Sequence, residues 1–144
     1  VQAALLTSVL PDAPTPALIL PGPTGESNRL VSVSRAPLLC LGPGAATALA
    51  QAESVRSLGG EAVEAPGLPP DALASLTGFS GVLHWGGAEQ ARPHAVALAQ
   101  RQGPILPLIT GQPDAAHLRL ERHICIDTTA SGGNAQLLAQ AAQA

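Results

Sequence analysis

The fold is decided by residues 37–47, which read PLLCLGPGAAT. The four apolar residues 38–41 are typical of a strand buried on both faces of a parallel sheet. The glycine-rich turn leads into residues 46–58, where apolar positions such as Leu49 and Val55 recur at helical spacing. This stretch therefore predicts a strand, a tight turn and a helix, which together are the repeating unit of an alternating α/β fold.

The same alternation of strand and helix continues as far as residue 128. Residues 71–76 and 88–102 have helical patterns, although Pro93 requires the second helix to kink there or to start late. Further apolar runs predict strands at 61–65, 81–85, 104–109 and 119–128. A rhythm of strand and helix predicts a Rossmann-like α/β fold, with a mostly parallel sheet and helices on both faces.

Changes in composition and apolar pattern along the chain predict four segments. Residues 1–17 contain three prolines and little apolar pattern, so they are predicted to be a linker or disordered arm. Residues 18–36 are a turn and strand segment of hairpin type, and 37–127 are the Rossmann-like domain. Residues 128–144 follow as a C-terminal motif and tail.

The charge balance excludes two classes of partner. The net charge is −3, with seven arginines and no lysine. Nucleic-acid binding requires a basic patch, and an electrostatic membrane anchor requires a polybasic cluster. No apolar run approaches the roughly 20 residues that span a bilayer, and no secretory signal is evident. The sequence therefore predicts a chain that neither binds nucleic acid nor inserts into a membrane.

Few side chains suggest chemistry. Cys40 and Cys125 both lie in apolar runs, where cysteine behaves as a small hydrophobic residue, and buried free thiols are predicted. His117, His123 and Cys125 have spacing that could ligate zinc, but scattered histidines are far more common, so no metal site is predicted. No arrangement of nucleophile, base and acid is evident, and no catalytic residue is predicted.

The turn at 42–44 leaves an alternative open. It follows a strand and begins a helix, as the pyrophosphate-binding turn of a dinucleotide site does. Glu64 follows Gly42 by about the spacing of a ribose-binding acid. However, Thr47 replaces the third glycine of that fingerprint, and Pro43 removes one N–H group.

Three stretches occur in an order that resembles a known family. Residues 21–28 read PGPTGESN, residues 35–42 read RAPLLCLG, and residues 127–135 read DTTASGGNA. Together they resemble the C-terminal domain of the proline utilization A (PutA) family of bifunctional flavoenzymes. The resemblance covers roughly residues 18–138, and its specific parts are the turn at 21–26 and the Gly-Gly-Asn-Ala tail.

The resemblance implies a degenerate copy of the aldehyde dehydrogenase nucleotide-binding fold. Ala65 stands where that fold has the lysine that holds the cofactor ribose, and Gly87 and Ala88 replace the hydroxyl residues that receive the pyrophosphate. Residues 105–111 resemble the strand that carries the catalytic glutamate, but they include no acid. The family's Trp-Asn-Phe-Pro segment is also absent after Leu41.

The resemblance further implies a role exerted through contact. The fragment itself is expected to hold no cofactor, whereas its parent uses FAD and NAD in a proline dehydrogenase module and an L-glutamate γ-semialdehyde dehydrogenase module. The parent is cytoplasmic, or peripheral to the inner membrane. The domain is expected to be a lid over the passage that carries the intermediate between the two sites. The expected interdomain contacts are Gly22, Thr24, Gly25, Thr128, Thr129, Ser131, Gly132, Gly133 and Asn134.

Two alternatives come from other functional classes. The first is a free-standing nucleotide-binding module that uses the turn at 42–44. The second is an oligomerisation domain, in which the strand near the C-terminus pairs with a neighbouring chain.

Overall fold

The chain alternates between strands and helices from residue 38 to residue 109. The computed structural model describes residues 1–8, 16–127 and 140. Its helices are α1 (Gln2–Thr7), α2 (Gly44–Ser57), α3 (Ala88–Ala99) and α4 (Ala115–Leu118), with a 3₁₀ helix at Pro70–Ala74. Its strands are β1 (Leu18–Leu20), β2 (Glu26–Ser34), β3 (Leu38–Cys40), β4 (Ala62–Glu64), β5 (Gly81–Leu83), β6 (Leu108–Ile109) and β7 (Arg119–Asp127).

Strands β3 to β6 form a four-stranded parallel sheet in the order β4-β3-β5-β6. Leu39 of β3 is aligned with Val63 on one side and with Val82 on the other, and Leu83 is aligned with Ile109. The chain therefore runs outward from β3 to β4, crosses back to β5 and continues to β6. The reversal between β3 and β5 is the topological switch point of a doubly wound fold. The predicted Rossmann-like α/β class is confirmed.

Apolar side chains fill both faces of this sheet, because successive strand residues point to opposite faces. Leu39 and Val82 face the layer that holds α3 and the 3₁₀ helix, whereas Leu38 and Leu83 face α2. The first layer contains Leu5, Leu39, Leu41, Val63, Ala65, Leu73, Phe79, Val82, Ala97 and Leu98. The second contains Leu38, Cys40, Ala48, Ala52, Val55, Ala62, Leu83, Ile109 and Leu118. Helices cover both faces, as the sequence predicts.

The N-terminal residues differ from the predicted arm. The pattern predicts a linker over residues 1–17, but the structure has a helix at Gln2–Thr7. Its Leu5 is buried in the first core layer. Gln2 donates to Thr77 O at 3.2 Å and accepts from Thr77 N–H at 3.1 Å. The prolines that suggested a linker lie at residue 11 and beyond, and residues 9–15 are outside the described part of the chain.

Helix α3 shows how a proline is accommodated in this fold. The helix begins at Ala88, so it does not start after Pro93, which is its sixth residue. Proline cannot donate to the carbonyl four residues earlier, which belongs to Glu89. Both residues are exposed, so water can bond that carbonyl. The helix therefore keeps Ala91, His94, Ala97 and Leu98 on its buried face.

The last predicted strand forms, but it belongs to a second sheet. Strand β7 joins β1 and β2 in a three-stranded sheet of order β1-β2-β7. One compact unit comprises the described residues of Val1–Pro11 and Ser34–Arg119, and the other comprises those of Asp12–Val33 and Leu120–Ala144. The observed α/β unit thus ends at Arg119, whereas the predicted domain extends to residue 127. An apolar pattern predicts a strand but does not identify its neighbour.

Candidate functional site

The carboxyl ends of β3 and β5 meet at the switch point, where open α/β sheets bind ligands. Leu41 N–H donates to Leu83 O at 3.0 Å, and Trp85 N–H donates to Gly42 O at 2.9 Å. The turn at 42–44 and the turn at 84–87 therefore lie at the same sheet edge. Helices α2 and α3 begin directly after these turns.

The first turn is closed by a side chain from the helix that follows it. Gly42 has φ +98°, and a Cβ there would lie 2.4 Å from Gly44 N. Gln51 is fully buried on α2. Its Oε1 accepts from Gly42 N–H and its Nε2 donates to Gly42 O, both at 2.9 Å. The glycine N–H that a pyrophosphate site would offer is thus already bonded within the chain.

The next residue removes a further donor from the first turn. Pro43, the N-cap of α2, has no N–H group and caps the helix with no side-chain bond. Gly44 and Ala45 are exposed and belong to the first turn of the helix. The turn keeps the strand-turn-helix form of a dinucleotide site, but residues 42 and 43 offer no free N–H group to a ligand.

Side chains of the same chain also occupy the second turn, at residues 84–87. Gly86 N–H donates to Nδ1 of His84 at 3.2 Å. A Cβ at Gly86 would lie 2.4 Å from Cε1 of His84 and 2.5 Å from Oε1 of Gln90. Gly87, the N-cap of α3, makes no side-chain cap, and no other atom lies within 4 Å of a Cβ built there. Gly87 and Ala88 supply no hydroxyl group to this turn.

Two histidines pack against each other beside this turn. His84 directly follows β5 and His94 lies on α3, and their ring centroids are 5.0 Å apart. Both residues are buried, and Nδ1 of His94 is buried without a hydrogen-bond partner. Burial lowers the pKa of both imidazoles, and the adjacent His84 lowers that of His94 further. The neutral forms are therefore favoured, and the pair forms part of the interior.

The end of β4 is also used within the chain. Ala65, for which the resemblance implies the family's lysine position, is buried in the first core layer, and its N–H donates to Cys40 O at 2.9 Å. Glu64, the alternative ribose-binding acid, is exposed and lies 3.3 Å from the guanidinium of Arg56. The two strand-end residues therefore serve packing and a surface ion pair.

Strand β6 carries no acidic residue. Only Leu108–Ile109 form the strand, because Pro104 and Pro107 cannot donate to a ladder. Trp85 Nε1–H donates to Gly111 O at 2.7 Å just beyond it. Residues 105–111 therefore provide backbone and apolar contacts.

The structure describes three of the nine predicted contact residues, and all three lie in the turn between β1 and β2. Strands β1 and β2 are antiparallel, with Leu20 aligned to Asn28. Glu26 N–H donates to Pro23 O at 3.1 Å and Gly25 has φ +92°, as in a type II turn. Gly22 allows a close approach, because a Cβ there would lie 2.4 Å from Nδ2 of the buried Asn28.

Around this turn, Gly22 and Thr24 are exposed and Gly25 is half-buried. The other six predicted contacts, Thr128, Thr129, Ser131, Gly132, Gly133 and Asn134, lie outside the described residues. The contact hypothesis for all nine residues therefore stays a prediction.

The cysteines behave differently from each other. Burial raises the pKa of the Cys40 thiol to about 12, so it stays protonated and unreactive. Cys125 is exposed, which corrects the prediction of a buried thiol. Both are free thiols, as predicted. No helix within the described residues is long and apolar enough to cross a membrane.

Most of this chain is similar in sequence to two curated proteins that have the same name. No protein-family model matches the chain. The bifunctional protein PutA of Salmonella typhimurium (strain LT2) is 29% identical over 144 aligned residues, which cover 83% of this chain and 11% of that protein. The bifunctional protein PutA of Escherichia coli (strain K12) is 28% identical over 148 aligned residues, with the same coverage. The chain thus spans about a tenth of the length of these relatives.

Solved structures of PutA proteins also match. A crystal structure of bifunctional proline utilization A matches with a TM-score of 0.48 and 25% identity, covering 65% of this chain and 13% of that one. A Bradyrhizobium japonicum PutA variant matches with a TM-score of 0.47 and 25% identity over the same shares of the two chains. Over most of its length, this chain is therefore similar in sequence to a part of these two PutA proteins.

Proposed function

We propose that this PutA-related chain is a non-catalytic module of a longer bifunctional enzyme, that it corresponds to the enzyme's C-terminal domain, and that it acts by contact. The observation that supports this most directly is the pair of bonds between Gln51 and Gly42. The fold's ligand-binding edge is occupied by the chain's own groups, while the sheet and both core layers remain intact. Such a domain keeps its shape and offers no nucleotide chemistry.

The parent reaction follows from the family resemblance. In that scheme a flavin oxidises proline to pyrroline-5-carboxylate, which hydrolyses to glutamate semialdehyde, and NAD⁺ oxidises the semialdehyde to glutamate. FAD and NAD belong to the two catalytic modules, which are this chain's proposed partners, and the parent is cytoplasmic. The present domain holds neither cofactor in this account, because Ala65, Gly87 and Ala88 replace the side chains that would bind a dinucleotide.

The proposed role is that of a lid that seals the passage between the two active sites. The turn at 21–26 suits a docking role because its two prolines restrict its conformations, which reduces the entropy lost on contact. The tail at 128–135 combines small hydroxyl residues with Gly132, Gly133 and Asn134. Ordering such a tail costs roughly 1–2 kcal/mol per residue, so its docking must form compensating backbone bonds.

The proposal is tested in the parent enzyme by deleting residues 128–144. We expect semialdehyde oxidation to fall and a lag to appear in NADH production from proline, with proline oxidation changed less. The reason is misplacement of the aldehyde dehydrogenase site, since a shift of about 1 Å can cost on the order of 10²-fold in rate. The measurements are the steady-state rates of each half-reaction and the length of the coupled lag.

Two variants make this test specific. Deleting only residues 141–144 leaves the motif intact and should leave the lag short. Gly133→Val should reproduce part of the full deletion if Gly133 has a backbone angle that β-branched residues avoid. Unchanged semialdehyde oxidation and an unchanged lag in the full deletion would contradict the lid role.

A further inference from the structure

An open groove lies between α3 and the 3₁₀ helix, which pack against each other. Its volume is about 390 Å³, which is within the range of small-molecule sites. The residues that line it belong to these two helices and not to the turns at 42–44 and 84–87. The groove is therefore separate from the switch point, where the chain's own groups occupy the turns.

Two exposed side chains of opposite charge line this groove. Asp71 belongs to the 3₁₀ helix and Arg92 to α3. Within the described part of the chain they form no ion pair with each other or with another residue. Asp71 Oδ1 accepts from Ala72 N–H at 3.1 Å, and a carboxylate has further acceptor sites. The groove therefore offers a guanidinium fork and a carboxylate to a ligand.

A smaller cavity at the C-terminal end of α3 differs in this respect. Its volume is about 240 Å³, and the charged residue on its wall is Arg101. Arg101 donates to Leu73 O, and its guanidinium carbon lies 4.8 Å from the centroid of the Phe79 ring. The cation of the smaller cavity is thus engaged within the chain, whereas that of Arg92 is available.

The rest of the larger groove is mostly apolar and stiff. Pro70, Pro93, Val96 and Ala97 lie between the two charged side chains and beside them. Val96 is 49% exposed and Ala97 is buried, so the groove has an apolar base that a ligand can cover. Proline and alanine lose no rotamer freedom when they are covered. The apolar surface is therefore largely organised before a ligand binds.

These features together fit a small ligand that carries both charges and a short apolar body. A free α-amino acid has this composition, because its carboxylate and its ammonium group are both ionised near neutral pH. Within a polypeptide the same two groups are consumed in peptide bonds. We propose that this groove binds a free apolar α-amino acid, with the carboxylate on Arg92, the ammonium group on Asp71 and the side chain over Pro93 and Val96.

The first experiment titrates L-leucine into the ¹⁵N-labelled 144-residue chain and follows backbone amide shifts by NMR. We expect saturable shifts in the non-proline residues of 70–72 and 92–100. The dissociation constant should be on the order of 1 mM, because both charged side chains stay exposed and exposed ion pairs contribute little. The test reads binding to this chain and not an enzymatic rate, so it does not depend on the contact role proposed above.

Four variants test the two charged contacts. Arg92→Gln and Asp71→Asn should each raise the dissociation constant of L-leucine about three- to fivefold. Asparagine keeps an oxygen that can accept from Ala72 N–H, so the start of the 3₁₀ helix is preserved. Arg56→Gln and Glu53→Gln make matched changes on α2, which covers the other face of the sheet, and should leave the affinity unchanged.

Two further probes each lack one charge of L-leucine. 4-Methylpentanoate has no ammonium group and 3-methylbutylamine has no carboxylate, so both should bind several-fold more weakly. Asp71→Asn should not weaken the binding of 4-methylpentanoate, and Arg92→Gln should not weaken that of the amine. In each case the variant removes a charge for which the probe has no partner.

Three results would overturn the proposal. The first is the absence of saturable shifts with L-leucine, and the second is an affinity that neither Arg92→Gln nor Asp71→Asn lowers. The third is equal binding of N-acetyl-leucinamide, which is uncharged. That result would identify the groove as a surface for apolar peptide segments.

Discussion

At the scale of single residues, Gln51 explains why the N–H group of Gly42 is not available to a ligand at the switch point. Its amide is fully buried and bonds both backbone groups of Gly42. A buried N–H without a partner is costly, so the turn and the glutamine stabilise each other. The sequence offered one signal: Gln51 is a polar residue beside Ala48, Ala52 and Val55, which are the buried positions of the same helix.

Gln51→Leu should lower the free energy of unfolding by about 1–3 kcal/mol, because Gly42 N–H is left buried and unpaired. The carbonyl of Gly42 keeps its bond from Trp85 N–H, so only the donor is orphaned. Urea denaturation measures the change. Gln102→Leu makes the same substitution at an exposed position and should be close to neutral. Equal effects at both positions would show that the Gln51 bonds contribute nothing.

The buried histidine pair should make stability depend on pH. Burial lowers the pKa of His84 and His94 in the folded state, so the unfolded chain binds more protons as the pH falls below about 6.5. Stability is therefore fully present above about pH 6.5 and is lost below it, at up to about 1.4 kcal/mol per pH unit for each histidine until the folded-state pKa is reached.

Urea denaturation between neutral and mildly acid pH measures this loss. His94→Leu should reduce the slope, whereas Gln102→Leu, at an exposed position that does not titrate, should leave it unchanged. A slope that is the same in the His94 variant would contradict this role for the pair.

At the scale of elements, two adjacent glycines test why the second turn has its shape. Gly86→Ala should destabilise the chain by about 1–3 kcal/mol, because its Cβ would collide with the His84 ring and the Gln90 amide. Gly87→Ser should instead stabilise it by a few tenths of a kcal/mol, since the site is open and serine can cap α3. Thermal unfolding of both variants gives the comparison. Similar losses in both would rule out the crowding at Gly86.

The elements show how far the sequence could predict this fold. The run at 38–41 and the helical spacing after it were sufficient for the Rossmann-like class, because burial on both faces leaves no polar alternation. Strand β7 was predicted as a strand, but its sheet was not, since alternation does not specify a partner. Helix α1 was missed because its six residues are too few for a periodic pattern, and Leu5 is its one buried residue.

The sequence could predict those features of the site that depend only on which residue occupies a given position of the strand-turn-helix pattern. The residues that precede and follow Ala65, Gly87 and Ala88 predict that these three replace cofactor-binding side chains of the family, and this stays a prediction. The bonds from Gln51 and the contact between His84 and His94 depend on side chains from different elements meeting at one edge. Linear spacing does not contain that information, so the structure was needed to find them.

At the scale of the whole molecule, the fold persists while its ligand-binding edge is occupied internally. Phe79 and Trp85 are the chain's only Phe, Trp or Tyr residues, so both layers of the parallel sheet rely on aliphatic side chains from the four strands and their helices. Sequence similarity covers 83% of this chain but only about a tenth of each PutA relative. In the function proposed above, the domain contributes shape and surface to a larger protein through contacts in the turn at 21–26 and in the tail.

We propose that this fold is retained without dinucleotide binding, and calorimetric titration of NAD⁺ and NADP⁺ into the 144-residue chain tests this most directly. An NAD⁺-dependent dehydrogenase titrated under the same conditions serves as the control. We predict no saturable heat, because Gln51 holds Gly42 N–H, Pro43 has no N–H to offer and no lysine or hydroxyl residue stands at positions 65, 87 and 88. Saturable binding with a micromolar dissociation constant would contradict the account and would favour a free-standing nucleotide-binding module.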